Sequence, residues 1–234
     1  MKYENICKGN FIARPNRFIA EVSVRGETVR AHVKNTGRCR ELLLPGAVVY
    51  LEDFEGRMGN RKLRYSLIGV EKGETPVNMD SQAPNGVCEE ALISGKLKLP
   101  GMGELSLVRR EKTYGASRFD FYLEDEKGNR AFMEVKGVTL EEGGVARFPD
   151  APTERGVKHV EELCRAKEEG FFCYVLFVIQ MQGVCRFEPN DRTHKAFGDA
   201  LRRAEKKGVI VLACDCKVTR NTLNIENMIP VQLD

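Results

Sequence analysis

The chain has 234 residues, 42% hydrophobic and 30% charged, enough apolar material for the core of one large domain or two small ones. Its N-terminus, "MKYENICKGNF", has no apolar h-region, and its longest apolar run, "FFCYVLFVI" at 171–179, is too short to span a bilayer as a helix; no secretion and no membrane segment are expected, and the cytoplasm is the expected location. Net charge is only +3, but residues 1–80 carry 14 Lys/Arg against 10 Asp/Glu and residues 81–234 carry 23 against 24, which points either to a polyanion partner held by the first third or to an ordinary solvated surface.

The first 75 residues read as β structure. "NFIARPNRFIAEVSV" gives two strands around a Pro-Asn turn, "RGET" signals a tight hairpin into "VRAHV", and "VVYLEDF" and "KLRYSLIGVEK" follow as strands. Five short strands with Gly-rich turns fit a small barrel, the oligonucleotide-binding (OB) type being the commonest. Between them, "KNTGRCREL" places Asn35, Thr36 and Gly37 in a turn with Arg38 and Arg40 nearby, in a position where such barrels contact nucleic acid. The segment 73–86, "GETPVNMDSQAPNG", is rich in turn formers, so the division between residues 1–80 and 81–234 is placed there.

Beyond it, helix and strand alternate. "CEEALISGKL" reads as a short helix, and strands are expected at 105–113, 118–124 and 130–137. A helix follows from Thr153 to about Glu169, with Thr153 as N-cap, Val157, Val160 and Leu163 as its apolar stripe and Gly170 closing it. The apolar run 171–179 suits a buried strand; "VCRF", a helix from about Asp191 to Lys207 and the strand "GVIVLACDC" complete an α/β arrangement on a mixed sheet. Eight cysteines without zinc-ligand spacing read as free thiols.

The hairpin "RFDFYLEDEKGNRAFMEVKGVTL", 118–140, carries the chemistry. Period-2 counting places Phe119, Phe121 and Leu123 on one face of its first strand and Asp120 on the other; Glu134 and Lys136 share a face of the second. Two carboxylates suit a hard divalent cation, with the backbone carbonyl of Val135 as a further ligand, and the Lys136 ammonium suits a phosphate. The competing reading is a solvated sheet face on which Glu134 and Lys136 pair. Glu90, on the helix before the sheet, is either a further site carboxylate or a surface residue. Arg118 flanks Asp120 as a phosphate contact or an exposed cation. "RFPDAPTERGVKH", 147–159, enters a helix, where Thr153, Arg155, Lys158 and His159 either surround an anion or form a capped, solvated first turn.

"NTG.C.EL", "RFDF", "EVKGVTL" and "FPDAPTERGVKHVEEL", in this order, resemble the sugar fermentation stimulation protein A (SfsA) family, and the likeness runs from the first strand to the C-terminus. The resemblance implies an α/β (α+β) chain with an N-terminal OB-like barrel and a C-terminal PD-(D/E)XK nuclease-like domain with a mixed sheet. Carried over position by position, the nuclease motif falls on Asp120, Glu134 and Lys136, with Glu90 as the helix carboxylate and Mg²⁺ or Mn²⁺ as cofactor. No Pro precedes Asp120, a small departure from the superfamily pattern. The family implies nucleic acid, DNA above all, as partner. Two functions stay open: a Mg²⁺-dependent nuclease, or a non-catalytic DNA-binding regulator of sugar metabolism genes that retains the nuclease fold. The oligomeric state stays open too, a homodimer included.

Overall fold

The computed structural model describes residues 1–35 and 37–234. Its first strands are β1 (Ile6–Asn16), β2 (Ile19–Val24), β3 (Glu27–Val33), β4 (Val48–Asp53), β5 (Tyr65–Lys72) and β6 (Thr75–Asn78). They lie in the order β3-β2-β1-β4-β5-β6, and a parallel β3–β5 pairing closes five of them into a barrel. This is the OB arrangement. The β2–β3 hairpin turns through Arg25 and Gly26, both at positive φ (52° and 88°), as a two-residue turn of this hand requires. Val22, Ala31, Val49, Leu51 and Leu67 are fully buried inside. Thr75–Asn78, assigned from its turn-forming composition to the linker, is instead a sixth strand on β5. Pro76 is tolerated there because the strand is an edge.

The remainder comprises α1 (Ala83–Ile93), β7 (Leu105–Tyr114), β8 (Ser117–Asp125), β9 (Arg130–Val138), β10 (Leu140–Glu142), β11 (Val145–Phe148) and α2 (Glu154–Glu168). Then come β12 (Phe172–Ile179), β13 (Arg186–Pro189), α3 (Asp191–Lys206), β14 (Ile210–Val218) and β15 (Leu223–Ile229). The main sheet runs β15-β14-β12-β9-β8-β7, with β9, β12 and β14 parallel and the rest antiparallel. A small sheet, β10-β11-β13, lies beside it. Three strands, β10, β11 and β15, have no counterpart in the sequence reading, and α1 begins at Ala83 rather than Cys88. Its Pro84 marks a helix start here, where a missing amide costs nothing, and not a linker. α2 is capped as expected: Thr153 accepts from Gly156 N at 3.1 Å, and Gly170 follows at φ 94°.

Apolar side chains divide between the two faces of the main sheet. Val87, Cys88, Phe121, Met133 and Tyr174 pack under α1. Val160, Leu163, Phe177, Phe197 and Leu201 pack under α2 and α3, in a cluster continuous with the barrel core. Polar contacts cross the seam between barrel and sheet: Lys34 Nζ reaches Asp80 at 2.5 Å and Lys72 Nζ donates to the Glu141 carbonyl at 2.7 Å. Among the described residues no helix is long and apolar enough to cross a membrane.

Candidate active site

β8 and β9 pair in register from Glu124–Arg130 to Phe121–Met133, and there the ladder stops. The next rung is taken over by a side chain. Asp120 Oδ2 accepts from the Val135 amide at 2.8 Å, and Oδ1 accepts from Asn85 Nδ2 of α1, also at 2.8 Å. The N–H and C=O of one extended residue point to the same side, so the Val135 carbonyl also faces this gap. Across from Asp120, between the Arg110–Phe121 and Lys112–Phe119 pairs, Glu111 has φ 56°. That left-handed backbone is costly for a non-glycine and persists only where the surroundings enforce it.

The break also disrupts the alternation read from sequence. Phe121 and Leu123 pack with Met133 and Val135 under α1. Phe119 turns to the other side, where its ring lies 5.2 Å from Phe132 and edge-on to His159 at 6.3 Å. The charged trio consequently shares no single sheet face. Glu134 and Lys136 project toward α2, whereas Asp120 lies in the gap between β8 and β9.

Glu134 is 2% exposed. Its Oε1 receives Lys136 Nζ and His159 Nδ1; its Oε2 is buried with no hydrogen-bond partner. Burial pushes the Glu134 carboxyl up, but His159 and Lys136 outweigh it and hold the group below the usual carboxylate range. Asp120 moves the other way. Burial, and then the neighbouring Glu134 charge, raise it despite its two donors and Lys136. The two carboxylates are thus close enough to repel, and one oxygen of Glu134 is left without a donor. A buried carboxylate oxygen in that state costs ~1–3 kcal/mol or more, and a cation removes the cost. Glu134 Oε2, the remaining lone pairs of Asp120 and the Val135 carbonyl fit a hard divalent ion. Among the described residues no three His, Cys, Asp or Glu side chains could cage a metal by themselves; such an ion would keep several waters, as Mg²⁺ does.

The other expected site residues scatter. Glu90 points away from the trio and binds the Met1 ammonium at 2.5 Å beside Asn224. Its neighbour Glu89, one turn after Asn85, pairs with Arg110 of β7 at 3.4 Å. His159, expected to meet an external anion, is buried behind Glu134, with its Nε2 accepting from Arg155 Nε at 3.3 Å. Arg155 itself is exposed. Thr153 spends its hydroxyl on capping, Lys158 Nζ donates to the Ala116 carbonyl at 3.3 Å, and Arg118 pairs with Glu111 at 3.4 Å.

In the barrel, Asn35 Oδ1 accepts from Gly37 N at 2.8 Å, and the Arg14 guanidinium binds the carbonyls of Asn35, Gly37 and Arg38 at 2.7, 2.8 and 2.9 Å. Thr36 lies outside the described residues. The Arg38 amide donates to Asp150 Oδ2 at 3.1 Å, so the "NTGRC" and "FPDAPTERG" stretches meet at the seam; a Cβ at Gly37 would collide with that carboxylate. The side chains of Arg38 and Arg40 are exposed. Asn85 carried no signal in the sequence, because only the packing of α1 over the sheet brings it to Asp120. Two surface cavities, of about 570 and 480 Å³, lie elsewhere, one lined by Leu92, Leu99 and Met102 and the other by Glu90, Lys96 and Lys217.

The model of the sugar fermentation stimulation protein RE domain matches residues 82–222, and that of the SfsA N-terminal OB domain matches residues 12–79. A sugar fermentation stimulation protein homolog of Desulfitobacterium hafniense (strain DSM 10664 / DCB-2) is 53% identical over 235 residues, spanning 100% of this chain and 99% of its own. The homolog of Clostridium beijerinckii is 51% identical over 233 residues and 100% of both chains. Among solved structures, Pyrococcus furiosus SfsA in complex with Ca²⁺ superposes with a TM-score of 0.88 at 27% identity, over 99% of this chain and 98% of that one.

Proposed function

The chain belongs to the sugar fermentation stimulation protein family, and from its geometry we propose that it binds nucleic acid, DNA above all, and cleaves it with a divalent-metal phosphodiesterase site at Asp120, Glu134 and Lys136. The observation that carries this reading is Glu134 Oε2, a buried carboxylate oxygen with no donor, beside a second carboxylate whose ionised form is disfavoured. A salt-bridge cluster would satisfy both oxygens; this arrangement satisfies one. The P. furiosus relative was solved with Ca²⁺, a hard oxygen-seeking ion of the same type as Mg²⁺ and Mn²⁺.

Mg²⁺ or Mn²⁺ bound by Glu134, Asp120 and the Val135 carbonyl would supply Lewis-acid polarisation of the phosphodiester. The protein's own residues do the rest. Asp120 is oriented by Val135 N and Asn85, so it presents its free lone pairs in a fixed direction. Lys136, on the same side as Glu134, carries an ammonium able to leave Oε1 and neutralise charge on the phosphate. The barrel, residues 1–80, grips the backbone through exposed cations, Arg38 and Arg40 among them, and the remainder, residues 81–234, cuts.

The test incubates the pure protein with labelled single-stranded, duplex and branched DNA and with RNA, in Mg²⁺, Mn²⁺ or EDTA, beside Asp120→Ala. Metal-dependent product lost in the variant supports the reading. Binding with no product from any substrate leaves a non-cleaving DNA-binding regulator.

A further inference from the structure

The two oxygens of Glu134 are treated unequally, and His159 is the reason. Lys136 alone is a weak clamp on Oε1. It lies two residues along the same strand on a flexible four-carbon stem, and its ammonium repels any cation that Glu134 is to hold. His159 comes from a different element, the second turn of α2, is 6% exposed, and lies edge-on to Phe119. The cap at Thr153 starts the helix so that Arg155 and His159, four residues apart, share one face.

The contact with Arg155 selects the tautomer of the neutral ring. A guanidinium N–H only donates, so His159 Nε2, 3.3 Å from Arg155 Nε, must be the acceptor. A neutral ring with an acceptor at Nε2 carries its proton on Nδ1. That proton points at Glu134 Oε1.

We propose that His159 is a positioning residue: as the Nδ1–H tautomer set by Arg155, it holds Glu134 Oε1 so that Oε2 is presented to the divalent cation and Lys136 is released for the phosphodiester. This role rests on the metal reading above. It also separates two groups that contact the same oxygen. His159 supports cation binding by orienting a ligand, while Lys136 opposes it by charge.

Calorimetric titration of the metal-stripped full chain with Mn²⁺ tests this. Loss of a side chain that orients a metal ligand costs about 10–100-fold in affinity, and that loss is expected for His159→Leu. His159→Asn, whose amide nitrogen can stand where Nδ1 stood, restores most of the affinity; His159→Gln, whose amide reaches the Nε2 position, does not. Lys136→Met raises affinity. Thermal melting identifies any variant that fails to fold, and the Asn–Gln contrast keeps the test informative if the Leu variant does. Long-range ¹H–¹⁵N spectra of the wild type place the His159 proton on Nδ1. A proton on Nε2 alone, or wild-type Mn²⁺ affinity in folded His159→Leu, overturns this role and leaves the metal site standing. Absence of Mn²⁺ binding in the wild type overturns the metal reading and this role with it.

Discussion

β8 carries two aspartates, one inside the strand and one at its end, and the two are opposites. Asp125 accepts from Gly103 N at 2.8 Å, Asn129 Nδ2 at 2.8 Å, Asn129 N at 2.8 Å and Lys127 N at 3.0 Å. These donors, the Gly103 amide foremost, pull its carboxyl down to about 2. Asp120 has two donors, lies beside a second carboxylate, and is pushed up by burial and by Glu134. The same side chain on the same strand thus closes a turn at the strand's end and opens a site within it. A carboxylate that completes a structure has its lone pairs filled; one kept for a ligand has some left over and a neighbour that penalises its charge.

Four measurements sharpen or break this contrast. The largest effect is expected at the open site, where Asp120→Ala lowers nucleic-acid cleavage by about 10³-fold, ~4 kcal/mol of barrier. Single-turnover assays measure it, and an active variant ends the contrast. In the stretch where β8 and β9 still pair, Phe121→Ala removes a fully buried ring, at a cost of about 3–5 kcal/mol in urea unfolding. A loss under ~1 kcal/mol would show a surface that collapses freely instead of a packed sheet.

The third is a difference of sign with pH. Asp125 is depressed in the fold to about 2, against ~3.9 unfolded, so its stabilisation is present above ~3.9 and fades as pH falls toward 2. The stability gap between wild type and Asp125→Ala closes over that interval. Asp120 is raised, so its contribution is complete below ~3.9 and is lost as pH rises through its folded value. The gap between wild type and Asp120→Asn therefore shifts in the opposite sense with pH, and parallel curves would refute the assignment. The smallest effect is at Glu111, the left-handed residue facing Asp120. Glu111→Gly relieves the backbone, a gain of about 0.5 kcal/mol, because its pair with Arg118 is exposed and contributes little. A loss in denaturant titration would mean that the contact outweighs the strain.

Much of the fold was legible because its signals are short-range. Alternation marked β8, turn residues marked β2 and β3, with the Arg25–Gly26 turn a hairpin, and Thr153 and Gly170 marked the ends of α2. The same reliance on local signals misread Thr75–Asn78, whose turn-forming residues sit on a sheet edge, and the start of α1, where Pro84 belongs to the first turn. The order Asp120, Glu134, Lys136 on successive strands was visible as well, and the structure brings the three together. Their placement was not visible, because parity counting assumes an unbroken ladder and β8 leaves β9 at Asp120.

By itself the sequence determined most of the segments that form strands and helices and which charges lie on them, since backbone hydrogen bonding and alternate burial are decided largely within a few residues. Only the tertiary structure decided that Asp120 replaces a rung of the sheet, that Asn85 binds it while Glu90 turns to the Met1 ammonium, and that His159 stands behind Glu134 rather than before an anion. Those outcomes depend on where two strands part and on the phase at which a helix packs over them, and such distances are fixed by the whole core, not by neighbours in the chain.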